Sequence, residues 1–257
     1  MTSLVQIERR GHVALLWMCD SARRNALSVA LVTELLDALR GSEIADARAI
    51  VIGSREKAFC AGADIRDMLE SGWLEASSDQ HDAVTPPHLF EAIESDSRLI
   101  IAAVDGLALG GGVELCLACD LVVAATGASF MLPELGLGVL PNTALARLPA
   151  LIGMRAAADL ILTRRRIMAD EALRLGLISS IAEEGFAMEQ AVASAQTIVS
   201  TTPPRVLAAA RRQLRGAPGW YAIRAILNEM DPGEWREGTS AFVEKRTPNY
   251  DPFWAAR

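Results

Sequence analysis

Apolar positions along this chain follow two rhythms. In the first half, short unbroken runs stand between polar or glycine-containing stretches; in the second half, apolar residues recur every three or four positions. Val13 to Met18 is an apolar run that predicts a strand. Residues 28 to 39 place Leu31, Leu35, Leu36 and Leu39 on one helical face, with Ser28 as N-cap. Ala49 to Ile52 reads as a buried strand, so the opening predicts a β-α-β unit in a largely parallel sheet. Residues 71 to 87 lack periodicity and read as a loop or irregular helix ended by Pro86 and Pro87. Leu99 to Val104 predicts the next buried strand, Leu121 to Ala125 another, and Ser129 to Leu132 a short one. Asp105-Gly106 turns the chain, and Gly110-Gly111-Gly112 leads into a helix reaching about Cys119. After Pro149, helices are predicted over residues 154–162, 169–175, 187–199, 204–214 and 221–230. The layout is an α/β core with a helical C-terminal segment, divided near 195/196.

Composition narrows the picture. Half of the 257 residues are apolar, enough for one sizeable core. A net charge of −7 argues against a nucleic-acid partner, which needs a basic face. Cys19, Cys60, Cys116 and Cys119 sit in apolar or small-residue stretches, which reads as buried thiols in a reducing compartment. Arg9-Arg10 before Val13 to Cys19 imitates the start of a signal peptide, but Asp20 ends the run without a cleavage pattern. Leu99 to Ala125 is broken by Asp105, Glu114 and Asp120, too interrupted to span a bilayer. The expected location is the cytoplasm, with no membrane partner. Cys116 and Cys119 have no second ligand pair at zinc spacing, and His12, His81 and His88 are scattered, so core packing is expected and no metal site. No nicotinamide or flavin requirement is visible.

Three segments carry candidate chemistry. Leu109-Gly110-Gly111-Gly112-Val113-Glu114 stands between a strand and a helix, where glycines admit close backbone approach and a helix start offers unpaired N–H groups to an anion. No Gly-Lys-Ser/Thr follows, the dinucleotide glycine spacing is absent, and there is no Gly-x-Ser-x-Gly elbow. Taken alone, this segment reads first as a glycine turn for close helix–sheet packing. Ala58-Phe59-Cys60-Ala61-Gly62-Ala63-Asp64-Ile65 also follows a strand, and Asp64 suits a helix cap. Leu132-Pro133-Glu134-Leu135-Gly136 sets a carboxylate among apolar residues, where burial would raise its pKa; an exposed loop glutamate is the other reading.

Together, Ala61-Gly62-Ala63-Asp64, Asp105-Gly106 with Gly110 to Glu114, and Pro133-Glu134 resemble the crotonase (enoyl-CoA hydratase/isomerase) superfamily. The resemblance extends from Arg23-Arg24-Asn25-Ala26-Leu27-Ser28 through Ala169 to Ala172 and Leu175 to Ile178, and on to Glu237-Gly238 and Ala241 to Arg246. It implies an α/β spiral of β-β-α units with a helical C-terminal segment. It also implies an acyl-CoA thioester as substrate, with CoA as part of it and no other cofactor. The N–H groups of Ala63 and Gly111 would form the oxyanion hole, and Glu114 and Glu134 would be the catalytic pair. Arg24, Ala61, Asp64, Ile65, Arg66, Gly110 and Asn142 match positions that line the substrate and CoA site, and Lys57 could join in answering phosphates. Lys245 and Arg246 could reach a neighbouring subunit's ligand in a trimer or pair of trimers. Retention of both glutamates favours 2-enoyl-CoA hydration over Δ3-Δ2 isomerisation; a silent acyl-CoA-binding protein is a reading of another class. Asn142-Thr143-Ala144-Leu145-Ala146 departs from the usual Gly-rich run, and Asn142 is expected to hold a turn there, with Leu145 adding bulk.

Overall fold

The computed structural model describes residues 3–71, 84–216 and 231–255. Two sheets organise the chain. The larger has six strands in the order β1 (Val5–Arg10), β2 (Val13–Met18), β3 (Ala49–Ser54), β5 (Leu99–Val104), β7 (Leu121–Ala125) and β10 (Ser180–Ala182). Only the β1–β2 pair is antiparallel. The smaller sheet contains β4 (Ala58–Cys60), β6 (Leu107–Leu109), β8 (Ser129–Met131) and β9 (Ile167–Met168). Each of β3, β5 and β7 is followed within a few residues by a short strand of the other sheet, and then by helix. That is the spiral of β-β-α units expected from the resemblance.

Side-chain alternation explains why the large sheet is covered on both faces. Ala14, Leu16 and Met18 face a core shared with the small sheet and with α1 (Val29–Arg40), α3 (Pro86–Ser95) and α4 (Gly111–Ala118). Val13 and Leu15 point the other way, into a second core under α8 (Ala187–Thr201). Cys60, Cys116 and Cys119 are buried in the first core, as packing thiols. The predicted Ser28 cap holds: its Oγ accepts from the Leu31 N–H at 3.2 Å. β2 and β3 pair in parallel across α1, giving the predicted β-α-β unit.

Elsewhere the structure departs from expectation. Pro86 and Pro87 begin α3 rather than end a segment, because proline has no N–H to lose in the first turn. Thr85 and His88 form the capping box there. Helix also starts earlier than Pro149: α5 spans Asn142–Ile152 with Pro149 inside it. It is followed by α6 (Met154–Thr163) and α7 (Ala169–Leu175). The division at 195/196 falls within α8, whose Ala195 and Val199 remain packed on the sheet.

Beyond α8 lie α9 (Pro204–Arg215), α10 (Pro232–Glu244) and α11 (Asp251–Ala255). The helix predicted over 221–230 and Trp220 lie outside the described residues. Trp254 packs as expected, but Trp235 is half exposed on α10. Among the described residues, no helix is long and apolar enough to cross a membrane. A buried charge network fixes α9: Arg211, 5% exposed, reaches Asp120 at 2.6 Å, and Arg215 reaches the same carboxylate at 2.8 Å.

Candidate active site

The short strands β4 and β6 lie side by side in parallel and end at the same edge of their sheet. The chain leaving β4 runs through Ala61-Gly62-Ala63. It forms a parallel bridge with Leu27: the Leu27 N–H donates to the Gly62 carbonyl at 2.7 Å, and the Asp64 N–H donates to the Leu27 carbonyl at 3.4 Å. Amide directions alternate along an extended segment, so the intervening Ala63 N–H points away from Leu27.

The chain leaving β6 reaches Gly110, whose φ of +53° is open to glycine but costly for other residues. Gly110 caps α4, and Gly111 is its first residue, carrying one of the N–H groups that a helix start leaves unpaired. A Cβ placed on Gly111 would stand 3.1 Å from the Ala63 nitrogen, and one on Gly62 would stand 3.4 Å from the Gly111 nitrogen. The two amides therefore border one small space, and neither donates to an acceptor among the described residues.

Three residues into α4, Glu114 projects on the same side as Gly111. Its Oε1 accepts from the backbone N–H groups of Thr143 (2.8 Å) and Ala144 (3.2 Å), at the start of α5. Burial raises its pKa, and these two donors offset that rise only in part. Glu134 opens a 3₁₀ turn, Glu134–Leu137, just after β8. Gly110 has no side chain in its way; a Cβ there would fall 2.5 Å from Glu134 Oε1. The other oxygen, Oε2, is buried with no hydrogen-bond partner among the described residues. Burial, helped by the charge of Glu114, pushes the Glu134 carboxyl up to about 7.

These groups share one cavity of about 470 Å³. Ala61, Ala63, Ile65, Gly110, Gly111, Glu114, Glu134 and Asn142 all line it, as the sequence suggested. The rest of the wall is mainly apolar, with Pro86, Pro87 and Phe90 from α3, Met68 and Leu69 from α2 (Ile65–Ser71), and Leu137, Val139 and Leu140. Arg24, Asp64 and Arg66 do not line it. The Asp64 carboxylate is engaged in capping α2, accepting from the Arg66 N–H at 2.9 Å and the Asp67 N–H at 3.3 Å. Arg24, whose carbonyl takes the Ala61 N–H, and Arg66, at the start of α2, are exposed, and Lys57 is exposed in the turn before β4.

Residues 8–252 match the enoyl-CoA hydratase/isomerase family. The short-chain-enoyl-CoA hydratase of Clostridium acetobutylicum is 36% identical over 252 residues, covering 94% of this chain and 95% of that one. The 2,3-dehydroadipyl-CoA hydratase of Escherichia coli K12 is 33% identical, covering 97% of this chain and 99% of that one. A crystal structure of an enoyl-CoA hydratase from Polaromonas sp. JS666 superposes with a TM-score of 0.85 at 27% identity, covering 96% of this chain and 99% of that one. The chain belongs to the enoyl-CoA hydratase/isomerase family.

Two expectations about this family member change with its structure. Asn142 does not hold a left-handed turn; it opens α5, so the following amides aim at Glu114. Leu145 is absent from the cavity wall and is 42% exposed, so its bulk lies elsewhere. Lys245 caps α10 in a left-handed conformation, and Arg246 is tied within the chain to Glu237 and Glu244 at 2.6 Å each. Sequence reasoning missed Thr143 and Ala144, whose contribution is a backbone N–H and leaves no mark on residue type. It also missed α3 as a cavity wall; the Pro-Pro pair at its start was the available signal.

Proposed function

We propose that this chain is a 2-enoyl-CoA hydratase that adds water in syn fashion across the 2,3 double bond of its thioester substrate. The observation that carries this reading is the unequal environment of two carboxyls beside two unpaired amides. Burial raises the Glu114 carboxyl, and two backbone donors at the N-terminal end of α5 offset that rise in part. Glu134 has a buried oxygen without a partner among the described residues and a pKa raised to about 7. We assign the proton that the pair shares near neutral pH to Glu134, whose own pKa lies there.

The Ala63 and Gly111 N–H groups receive the thioester oxygen and stabilise the enolate that forms as C3 is attacked. Glu114 takes a proton from water as its oxygen bonds to C3. Glu134 gives its proton to C2 as the enolate collapses. The enzyme is left with the proton on Glu114 and recovers by exchange with solvent. The exposed guanidinium groups of Arg24 and Arg66 suit the CoA phosphates, and no cofactor beyond the CoA of the substrate takes part. We place the enzyme in the cytoplasm as a trimer or pair of trimers. Exposed Phe242 and Val243 on α10, within the 196–257 segment, support a role for that segment in assembly.

The direct test is incubation with crotonyl-CoA in ¹⁸O-labelled water, with mass detection. A labelled 3-hydroxybutyryl-CoA is expected. Conversion of 3-enoyl-CoA to 2-enoyl-CoA without label uptake would make the chain an isomerase instead. Acyl-CoA binding without turnover would make it a silent binder.

A second expectation concerns pH. The folded chain holds the Glu134 proton more tightly than a free carboxyl does. Protonation therefore favours the folded state, and that contribution is lost as pH rises from the ordinary carboxyl range, 4.5, through about 7. Glu134→Gln removes the ionisation. Its Tm should exceed that of the wild type at pH 8, with the advantage shrinking as pH falls and gone below about 4.5. In the wild type, kcat/KM should decline as pH rises through about 7, because the proton for C2 is lost. A Glu134→Gln advantage in Tm that is the same at both pH values would contradict the raised pKa.

A further inference from the structure

The Ala63 amide owes its direction to the Arg24–Ser28 segment, and that segment hangs on one side chain. Asn25 is 0% exposed, and its amide is fully engaged. Its Nδ2 donates to Ser54 Oγ at 2.7 Å and to the carbonyls of Ala58 and Phe59 at 3.2 Å each. Its Oδ1 accepts from the Asp20 N–H at 2.8 Å. The backbone here is unusual as well: Arg24 and Asn25 are consecutive non-glycine residues with φ of +53° and +54°. Such conformations persist where surrounding bonds over-determine them, and they cluster at functional sites.

The double left-handed step has a geometric product. It turns the Arg24 carbonyl onto the Ala61 N–H at 3.0 Å and the Leu27 N–H onto the Gly62 carbonyl at 2.7 Å. The strand carrying the first oxyanion donor is thus gripped from outside at Ala61, Gly62 and Asp64. The Asn25 side chain grips the same strand one step earlier, at Ala58 and Phe59. One residue registers β4, the turn after β3 and the Leu27 bridge against one another.

We propose that Asn25 is a positioning residue for the oxyanion hole, setting the direction of the Ala63 N–H without touching substrate. The proposal rests on the hydratase reading and deepens it. Loss of the grip should let the amide swing or shift by a fraction of an ångström. Misplacement on that scale, with Gly111 and both glutamates left in place, lowers turnover rather than ground-state binding.

The experiment uses the full-length chain. Asn25→Gly keeps the left-handed backbone accessible and removes only the side-chain bonds. Its kcat with crotonyl-CoA should fall about 100-fold, with KM within about threefold. Binding of acetoacetyl-CoA should no longer enhance the ultraviolet band of its enolate. A purely structural role would lower Tm and leave kcat per folded enzyme and the enolate band unchanged; that result overturns the proposal. Ser54→Ala, which removes one Asn25 partner, should lower kcat about fivefold. If Asn25→Gly does not fold, the kcat and enolate band of this milder variant decide, and wild-type values for both overturn the proposal. A wild-type chain that neither hydrates crotonyl-CoA nor perturbs acetoacetyl-CoA overturns the functional reading and this proposal together, whereas equal activity in wild type and variants overturns the proposal alone.

Discussion

Glu114→Gln is expected to lower kcat for crotonyl-CoA hydration by about 10³-fold, within the range of a general base, and to leave KM within a few-fold. Gln retains a carbonyl oxygen that can accept from Thr143 and Ala144, so the start of α5 keeps its partner. The amide cannot take a proton from water, so the loss falls on the chemical step. Circular dichroism and Tm should stay near wild type, because the substitution conserves volume and removes no bond to the fold. Initial-rate measurements against crotonyl-CoA concentration separate the two parameters. Turnover within about tenfold of wild type would exclude Glu114 as the base.

Gly106→Ala is expected to be the most damaging single methyl in this region of the fold. Gly106 has a φ of +80°, and a Cβ there would come 2.0 Å from the Lys57 carbonyl oxygen. The new Cβ meets the main-chain carbonyl of Lys57, so no side-chain rotation relieves the clash. The combined cost of strain and overpacking is about 3 kcal/mol or more, which lowers Tm by roughly 6–12 °C for a chain of this size. Activity should fall too: Gly106 sits where the β5 strand turns toward β6, and the close approach to Lys57 sets β6 beside β4. Those two strands deliver the Gly111 and Ala63 amides. Thermal unfolding checks the first effect, and crotonyl-CoA turnover well below Tm checks the second. A Tm within about 2 °C of wild type would show that the turn can relax, against the rigid contact described here.

The residues that speak through their side chains were legible in the sequence. Glu114 and Glu134 announce carboxylates beside glycines, and the cavity brings both together. The β2-α1-β3 opening was legible because short apolar runs, Val13–Met18 and Ala49–Ile52, and a leucine stripe have distinct periods. Helices α6, α7 and α9 followed from the same periodicity. What stayed hidden depends on backbone direction or on context. The short strands β4 and β6 span three residues each, too few for a period to register. Pro86-Pro87 looked like a terminator because proline ends and begins helices with the same residue type, and the choice rests on which side the chain folds. The proposed oxyanion donors are peptide N–H groups, which leave no mark on residue type, so Ala63 and Gly111 were assigned by resemblance alone. Asn25 stood in a quoted motif, but nothing in a linear string shows that it reaches Ala58 and Phe59 across more than thirty positions.

The hold on Glu114 by the first turn of α5 has a consequence for how this chain can vary. The carboxylate is gripped by main-chain donors, which every amino acid except proline supplies. Positions 143 and 144 are therefore nearly free in identity as far as proton chemistry is concerned. Side chains on this wall of the cavity can therefore change while the two N–H contacts to Glu114 persist.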